Sequence, residues 1–240
     1  MTVLNLGCGY QTSERCTNID WSLPLRLKGS VMGRMVAPLV ITGARRVAYD
    51  AMADDVLRHN LRKGIPFPDQ SVDGVYHSHL LEHLDRDVIP TFLAEVKRVL
   101  KPGGVHRIVV PDLERDARNY IASLDAALSG AATPEEHEAS IHVLIEQMVR
   151  KAASGTSQQT GLRRRTENLL LGDARHRGET HQWMWDQVSL PSALTSAGFT
   201  NPRVVSFNSS AVDDWPGYLL DQDESGLEYR PGSLYVEAFA

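Results

Sequence analysis

Cysteine, surplus basic charge and long apolar runs are all scarce in this chain. Its 240 residues hold two cysteines, Cys8 and Cys16. Two thiols this close, on either side of a glycine turn, build no disulfide framework and match no zinc-ligand spacing, so they point to a reducing, cytoplasmic setting. The formal net charge of -5 argues against a nucleic-acid backbone as the main partner. No apolar run approaches the roughly 20 residues that cross a bilayer, and the first residues lack the basic and apolar regions of a secretory leader. The expectation is a protein with no membrane partner. Asn208-Ser209-Ser210 has the form of a glycosylation acceptor, which in a cytoplasmic chain is fortuitous. A dinucleotide fingerprint is missing as well. Gly7-Cys8-Gly9 is followed by Tyr10, Gln11 and Thr12 rather than by a third glycine, and Asp20 comes only 11 positions after Gly9, against about 20 in that motif.

What is present begins with that same stretch. Val3, Leu4 and Leu6 form an apolar burst closed by Gly7-Cys8-Gly9, which reads as a buried parallel strand ending in a glycine turn. Glycines there let the backbone bend sharply and leave main-chain N–H groups open to a ligand, because no Cβ intervenes. Asn18-Ile19-Asp20 reads as a short second strand ending in a carboxylate, the place where a nucleotide-binding α/β fold grips ribose hydroxyls. Hydrophobic residues make up 42% of the chain, enough for the sizeable core of one domain spanning residues 1–240.

Further along, residues 21–49 give no clear pattern. Trp21 reads either as a packing residue or as a ring near a bound adenine, and Ala44 to Met52 as a third, edge strand. Gly64, Pro66 and Pro68 mark an ordered loop, and Val72 to His79 alternates as a fourth strand. Ile89, Phe92, Leu93, Val96 and Leu100 form the stripe of an amphipathic helix, capped by Asp85 or Asp87 and stopped at Lys101-Pro102-Gly103-Gly104. Val105 to Val110 is the next buried strand, ending at Pro111-Asp112. Glu114 to Leu128 reads as a helix. Thr133-Pro134-Glu135-Glu136 starts another, with Ile141, Leu144, Ile145 and Met148 as its buried face. Residues 154–178, with Arg163-Arg164-Arg165, form a solvated loop or a lid over an anionic substrate. A short helix over Leu190 to Ala197 precedes two last strands, Arg203 to Phe207 and Leu234 to Phe239, with Asp213 to Pro231 between them as a surface loop. Strands alternating with helices in this order predict a mostly parallel sheet, whose ligands bind beyond the carboxyl ends of the strands.

These pieces together resemble a class I S-adenosylmethionine-dependent methyltransferase, of the small bacterial type acting on sugars or secondary metabolites. LNLGCG resembles the family's first motif and NID its second-strand acid. NLRKGIPFPDQSVDGVYHSHLLEHL resembles the adenine loop and fourth strand, VKRVLKPGGVHRIVVPDL the helix and fifth strand, and ALTSAGF the helix before the last hairpin. The resemblance covers about residues 1–20, 58–113 and 180–207. It implies a Rossmann-like, doubly wound sheet of seven strands with the last antiparallel and inserted beside its neighbour, plus a helical insertion or lid over about 114–185. It also implies S-adenosylmethionine as cofactor: Leu6, Gly7 and Gly9 at its methionine end, Asp20 on the ribose hydroxyls, Asn60 on the adenine amino group, Leu61 against the ring, and His77 and Ser78 beside the sulfonium. Asn60 stands where an aspartate is frequent; its side-chain oxygen still accepts a hydrogen bond. The segment between Gly9 and Asp20 is shorter than the family's.

The donor of such an enzyme is already activated, so the protein holds donor and acceptor in line. A hydroxyl acceptor also needs its proton removed, a role suited to histidine near neutral pH. His181, before Trp183 and Trp185, and His79, at the end of the fourth strand, are the candidate bases; His77 is a lesser one, and His83 reads as a structural hydrogen-bonder. Asp112 is placed to orient an acceptor hydroxyl or to hold a divalent metal with Glu82 or His79; no ligand pair has a tight metal spacing, so the first reading is preferred and no metal is assigned. Methyltransferases acting on amides or adenine carry Asn/Asp-Pro-Pro-aromatic at the fourth strand's end; His77-Ser78-His79-Leu80 stands here, which favours an oxygen acceptor. The expected function is O-methylation of a hydroxylated small molecule. The alternatives are a protein or RNA methyltransferase, with the arginine-rich loop as docking surface, and a cofactor-binding module without turnover. Self-association as a homodimer stays open.

Overall fold

The computed structural model describes residues 1–41, 44–51, 55–147 and 181–240. Seven strands form one sheet: β1 (Val3–Leu6), β2 (Thr17–Asp20), β3 (Leu57–Arg58), β4 (Val72–Ser78), β5 (Leu100–Pro111), β6 (Thr200–Val205) and β7 (Ser233–Phe239). They lie in the order β3-β2-β1-β4-β5-β7-β6. β1 to β5 pair in parallel, and β7 runs antiparallel to both β5 and β6. This is the expected doubly wound sheet with its last strand inserted. The sheet order reverses beside β1, which puts the ends of β1, β2 and β4 around one crevice.

One face of the sheet is covered by α4 (Ile89–Val99) and by a short helix after residue 188. The α4 stripe Ile89, Phe92, Leu93, Val96 and Val99 is buried, as are Leu190, Leu194 and Phe199. On the other face Tyr76, Val109 and Tyr235 pack with Trp215, Tyr218 and Leu220. Arg107 of β5 is buried in this second layer. Its Nε donates to Asp221 (2.7 Å) and one terminal nitrogen to Glu237 (2.9 Å), the guanidinium lying 4.8 Å from the Trp215 ring centre. The stretch from Asp213 to Pro231 is therefore not the surface loop its acidity suggests: Trp215, Tyr218, Leu220 and Asp221 are interior.

Three further expectations change. Residues 44–51 form helix α3 (Ala44–Ala51), not an edge strand, with Arg46 and Asp50 paired one turn apart at 2.9 Å; the third strand is the two-residue β3. Met52 lies outside the described residues. Residues 21–41 hold helices α1 (Leu23–Lys28) and α2 (Val31–Val40), and Trp21 is exposed, with the Arg26 guanidinium 5.2 Å over its ring. Neither Asp85 nor Asp87 caps α4, whose N-cap position is Val88.

Helices α5 (Leu113–Leu128) and α6 (Pro134–Gln147) form a hairpin. The capping box holds: the Glu136 amide donates to Thr133 Oγ1 at 3.2 Å, and the Thr133 amide to Glu136 Oε2 at 2.8 Å. Ile121, Leu128 and Ile145 are exposed rather than buried, while Ile141 and Leu144 are half-buried. Met148 and residues 154–178 lie outside the described residues. The remaining helix, α7 (Ser189–Ser196), precedes β6. No helix among the described residues is long and apolar enough to cross a membrane.

Candidate cofactor and acceptor site

The glycine turn after β1 takes the shape its residues allow. Gly7 and Gly9 have φ of +64° and +54°, and a Cβ on Gly7 would come within 2.9 Å of Leu80 Cδ1. Such left-handed backbone strongly favours glycine. The Gly7 and Cys8 amides both donate to the Ile19 carbonyl, at 2.8 and 3.2 Å. The Gly9 amide donates to Asp20 Oδ2 and the Ser22 amide to Oδ1, each at 2.5 Å. Asp20 thus braces the glycine turn with one lone pair of each oxygen, and a carboxylate oxygen can accept more than one hydrogen bond. No helix separates β1 from β2. The Asn5 amide instead donates to the Gln11 carbonyl and to Asn18 Oδ1, which holds a short loop in place of the missing helix.

Beside this turn lies a cavity of about 240 Å³, lined by Asn5, Gly7, Gly9, Gln11, Ser78, His79, Tyr229 and Arg230 among others. The glycine turn, Ser78 and His79 are brought together as expected. Tyr229 and Arg230 were missed, because the stretch that carries them reads as a surface loop. Leu6 is fully buried in the core and is not among the residues that line the cavity. Asn60 and Leu61 do not line it. The His59 amide donates to the Asp20 carbonyl at 3.1 Å, which sets Asn60 near the end of β2. The Asn60 side chain accepts from the Arg62 amide at 3.1 Å, and Leu61 packs against the core edge.

His77 does not reach the cavity. It is fully buried on the α4 side, where its ring meets Phe92 and its Nε2 lies 3.0 Å from His106 Nε2. Strand alternation sends Ser78 to the cavity and its neighbour into the core. One ring donates and the other accepts. Burial depresses both imidazoles, His77 to about 3. His77, expected beside the sulfonium, is thus placed in the core rather than among the residues that line the cavity.

His79 has a φ of +50°, a conformation uncommon outside glycine. Its Nε2 lies 3.0 Å from Ser233 Oγ and its Nδ1 3.3 Å from Glu82 Oε1. Burial first, and then the Arg230, His181 and His83 charges, lower its pKa to about 3. Glu82 is wholly buried, and neither of its carboxyl oxygens takes a hydrogen bond. Burial raises its pKa to about 8.

His181 begins a strap across the strand ends. The Gln182 and Trp183 amides both donate to the Glu82 carbonyl, at 2.6 and 3.3 Å, and the Leu113 amide to the Trp185 carbonyl at 3.0 Å. The His181 ring centre lies 4.8 Å from that of His83. Asp112 acts locally. Its Oδ1 accepts from the Glu114 and Arg115 amides, at 3.0 and 3.3 Å, and so caps α5.

The strand ends fit an adenosyl cofactor: a turn without a Cβ at Gly7 and Gly9, its three amides taken up by Ile19 and Asp20, an acid with lone pairs to spare behind it, and a polar cavity in front. Comparison with known protein families agrees. Residues 4–108 match the family model described as a methyltransferase domain. No curated protein matches. Among solved structures, an S-adenosylmethionine-dependent methyltransferase from Thermotoga maritima is 16% identical, with 99% of this chain and 81% of that one covered and a TM-score of 0.40. One from Aquifex aeolicus is 15% identical, covering 100% and 81%, with a TM-score of 0.41. The Burkholderia thailandensis 1,6-didemethyltoxoflavin-N1-methyltransferase, with S-adenosylhomocysteine bound, is 14% identical, covering 99% and 70%, with a TM-score of 0.42.

Proposed function

We propose that this chain, whose residues 4–108 match a methyltransferase domain model, is an S-adenosylmethionine-dependent enzyme that methylates a hydroxyl of a small molecule such as a sugar, glycoside or secondary metabolite. The cofactor supplies a methyl group on a positively charged sulfur. The Gly7-Cys8-Gly9 turn and Asp20 hold it, with Asn60 and Leu61 on its adenine side and Ser78 toward the reacting end.

His79 carries this reading. It faces the cavity beside Ser78, at the end of β4, with Nε2 3.0 Å from Ser233 Oγ and Nδ1 turned toward Glu82. An acceptor hydroxyl that displaces Ser233 Oγ at Nε2 gives its proton to the imidazole, which burial keeps neutral, as the methyl group is transferred. Arg230, which lines the same cavity, orients a polar acceptor. Asp112 acts through the start of α5 rather than on the acceptor. Helices α5 and α6 belong to the insertion of about 114–185, which serves the acceptor side.

Methyl transfer from labelled S-adenosylmethionine to a panel of glycosides and cell metabolites tests the proposal. Label should enter small molecules, and His79→Ala should cut turnover by about 100-fold or more while S-adenosylhomocysteine binding persists. Label found only in protein or RNA overturns the small-molecule reading. Gly9→Val should abolish binding of S-adenosylhomocysteine itself, followed by calorimetry.

A further inference from the structure

Glu82 poses a physical problem. A carboxyl wholly removed from water, with neither oxygen hydrogen-bonded, is costly unless something pairs with it. What surrounds it is a set of imidazoles. His83 Nε2 lies 3.9 Å from Glu82 Oε1. One ligand atom each from Glu82, His83 and His181 falls within 4.8 Å of the other two.

We infer that Glu82, His83 and His181 form a site for one divalent transition-metal ion. Two imidazoles and one carboxylate are a borderline-soft donor set that suits zinc, cobalt or iron better than magnesium or calcium. Ligand bonds of about 2.0–2.2 Å put two donors of a tetrahedral ion roughly 3.3–3.6 Å apart, so the donors, which lie within 4.8 Å of one another, draw together by about an ångström when the ion binds. Three protein ligands also leave a fourth position for water or substrate, as in catalytic zinc sites.

The fold explains how the ligands meet. Glu82 and His83 share one short helical turn after β4 (Leu81–His83), and His181 arrives from a hundred residues away on the strap. The hydrogen bonds from Gln182 and Trp183 to the Glu82 carbonyl fix that strap one residue beyond His181. No sequence spacing announces such a site, because its third ligand is not local. The site adjoins the cavity through His79, whose Nδ1 stands 3.3 Å from Glu82 Oε1, but the inference does not depend on methyl transfer.

The test uses the tag-free full chain and the metal alone. After dialysis against zinc the protein should retain one equivalent by elemental analysis, melt at a higher temperature than the metal-free protein, and show visible ligand-field bands when cobalt replaces zinc. Glu82→Gln and His181→Ala should each weaken uptake more than tenfold, on the scale of about 10–100-fold seen even for outer-shell changes. His137→Ala, remote on α6, should leave it intact. In parallel, zinc added to the unmodified protein should move the imidazole NMR signals of His83 and His181 and not those of His137 and His142; this readout stands even if a variant fails to fold. No retained zinc, uptake that survives both substitutions, or shifts confined to other histidines would overturn the site.

Discussion

Helices α4 and α5 stand on either side of β5 in the chain, and both carry apolar residues at helical spacing. In α4 the stripe is covered: Ile89, Phe92, Leu93, Val96 and Val99 all lie against the sheet. In α5 no residue is buried. It pairs with α6, where the Tyr120 and His137 rings approach at 5.5 Å, and leaves Ile121 and Leu128 exposed. The contrast separates two properties that periodicity merges. An apolar stripe tells that a helix has a preferred side; it does not tell how much of that side another element covers. The body of the protein is the sheet with α4 on one face and the Arg107 layer on the other; among the described residues the α5–α6 hairpin is held by its own caps, by mutual contacts, and at its base by bonds from Leu113 to Trp185 and from Gln187 to Glu114.

Four measurements would break or sharpen that contrast. The largest effect is expected at the centre of the body. Arg107→Leu leaves Asp221 and Glu237 buried without their cation, and removal of one partner of a buried pair costs about 3–5 kcal/mol; urea unfolding should show a loss of this size, and a loss under about 1 kcal/mol would mean the layer is far better hydrated than its geometry suggests.

Next comes the pair that poses the comparison directly. Leu93→Ala in α4 should cost about 2–5 kcal/mol, as for other fully buried leucines. The half-buried Leu124 in α5 should cost less than about 1 kcal/mol on the same change. Equal losses would show that the hairpin is as much a part of the core as α4.

The third is a pH effect. His77 titrates near 3 in the fold against an ordinary 6.5, and His106 is depressed too. The unfolded chain binds these protons first, so the stability these rings contribute is whole above about 6.5 and is lost as pH falls from there toward 3. The slope should be roughly 1.4 kcal/mol per pH unit for each ring. A His77→Leu/His106→Leu variant should lack that part of the acid limb; an unchanged limb would exclude the pair as its cause.

The smallest is local. Thr133→Ala removes half of the capping box and should cost the hairpin about 1 kcal/mol. Faster amide exchange in α6 with unchanged exchange in α4 would confirm that the two regions open separately.

Much of the architecture was legible because it depends on local signals. The apolar bursts of β1 and β5, the alternation of β4, the α4 stripe and the Thr133–Glu136 box all report on a few neighbouring residues. So do Gly7 and Gly9, whose positive φ requires what glycine supplies, and the acid at the end of β2. Misreadings fell where composition and location part company. Residues 44–51 hold a helix because alanine and arginine, both good helix formers, outnumber the strand-favouring Val47 and Tyr49, and the acidic run from Asp213 to Pro231 dives inward because Asp221 meets Arg107. Neither Tyr229 nor Arg230 could be assigned to the cavity, since their place there follows from how that run returns to the surface.

The sequence by itself determined a mostly parallel sheet, the glycine turn with Asp20 behind it, and the order in which strands and helices alternate. Those follow from backbone preference and from burial along a short stretch of chain. Only the tertiary structure decided that His77 belongs to the core, that His79 faces the cavity, and that His83 and His181 gather around Glu82. The physical reason is distance along the chain: side chains from β4, from the strap after residue 180 and from the segment before β7 meet only once the sheet has closed, and no local rule records their meeting.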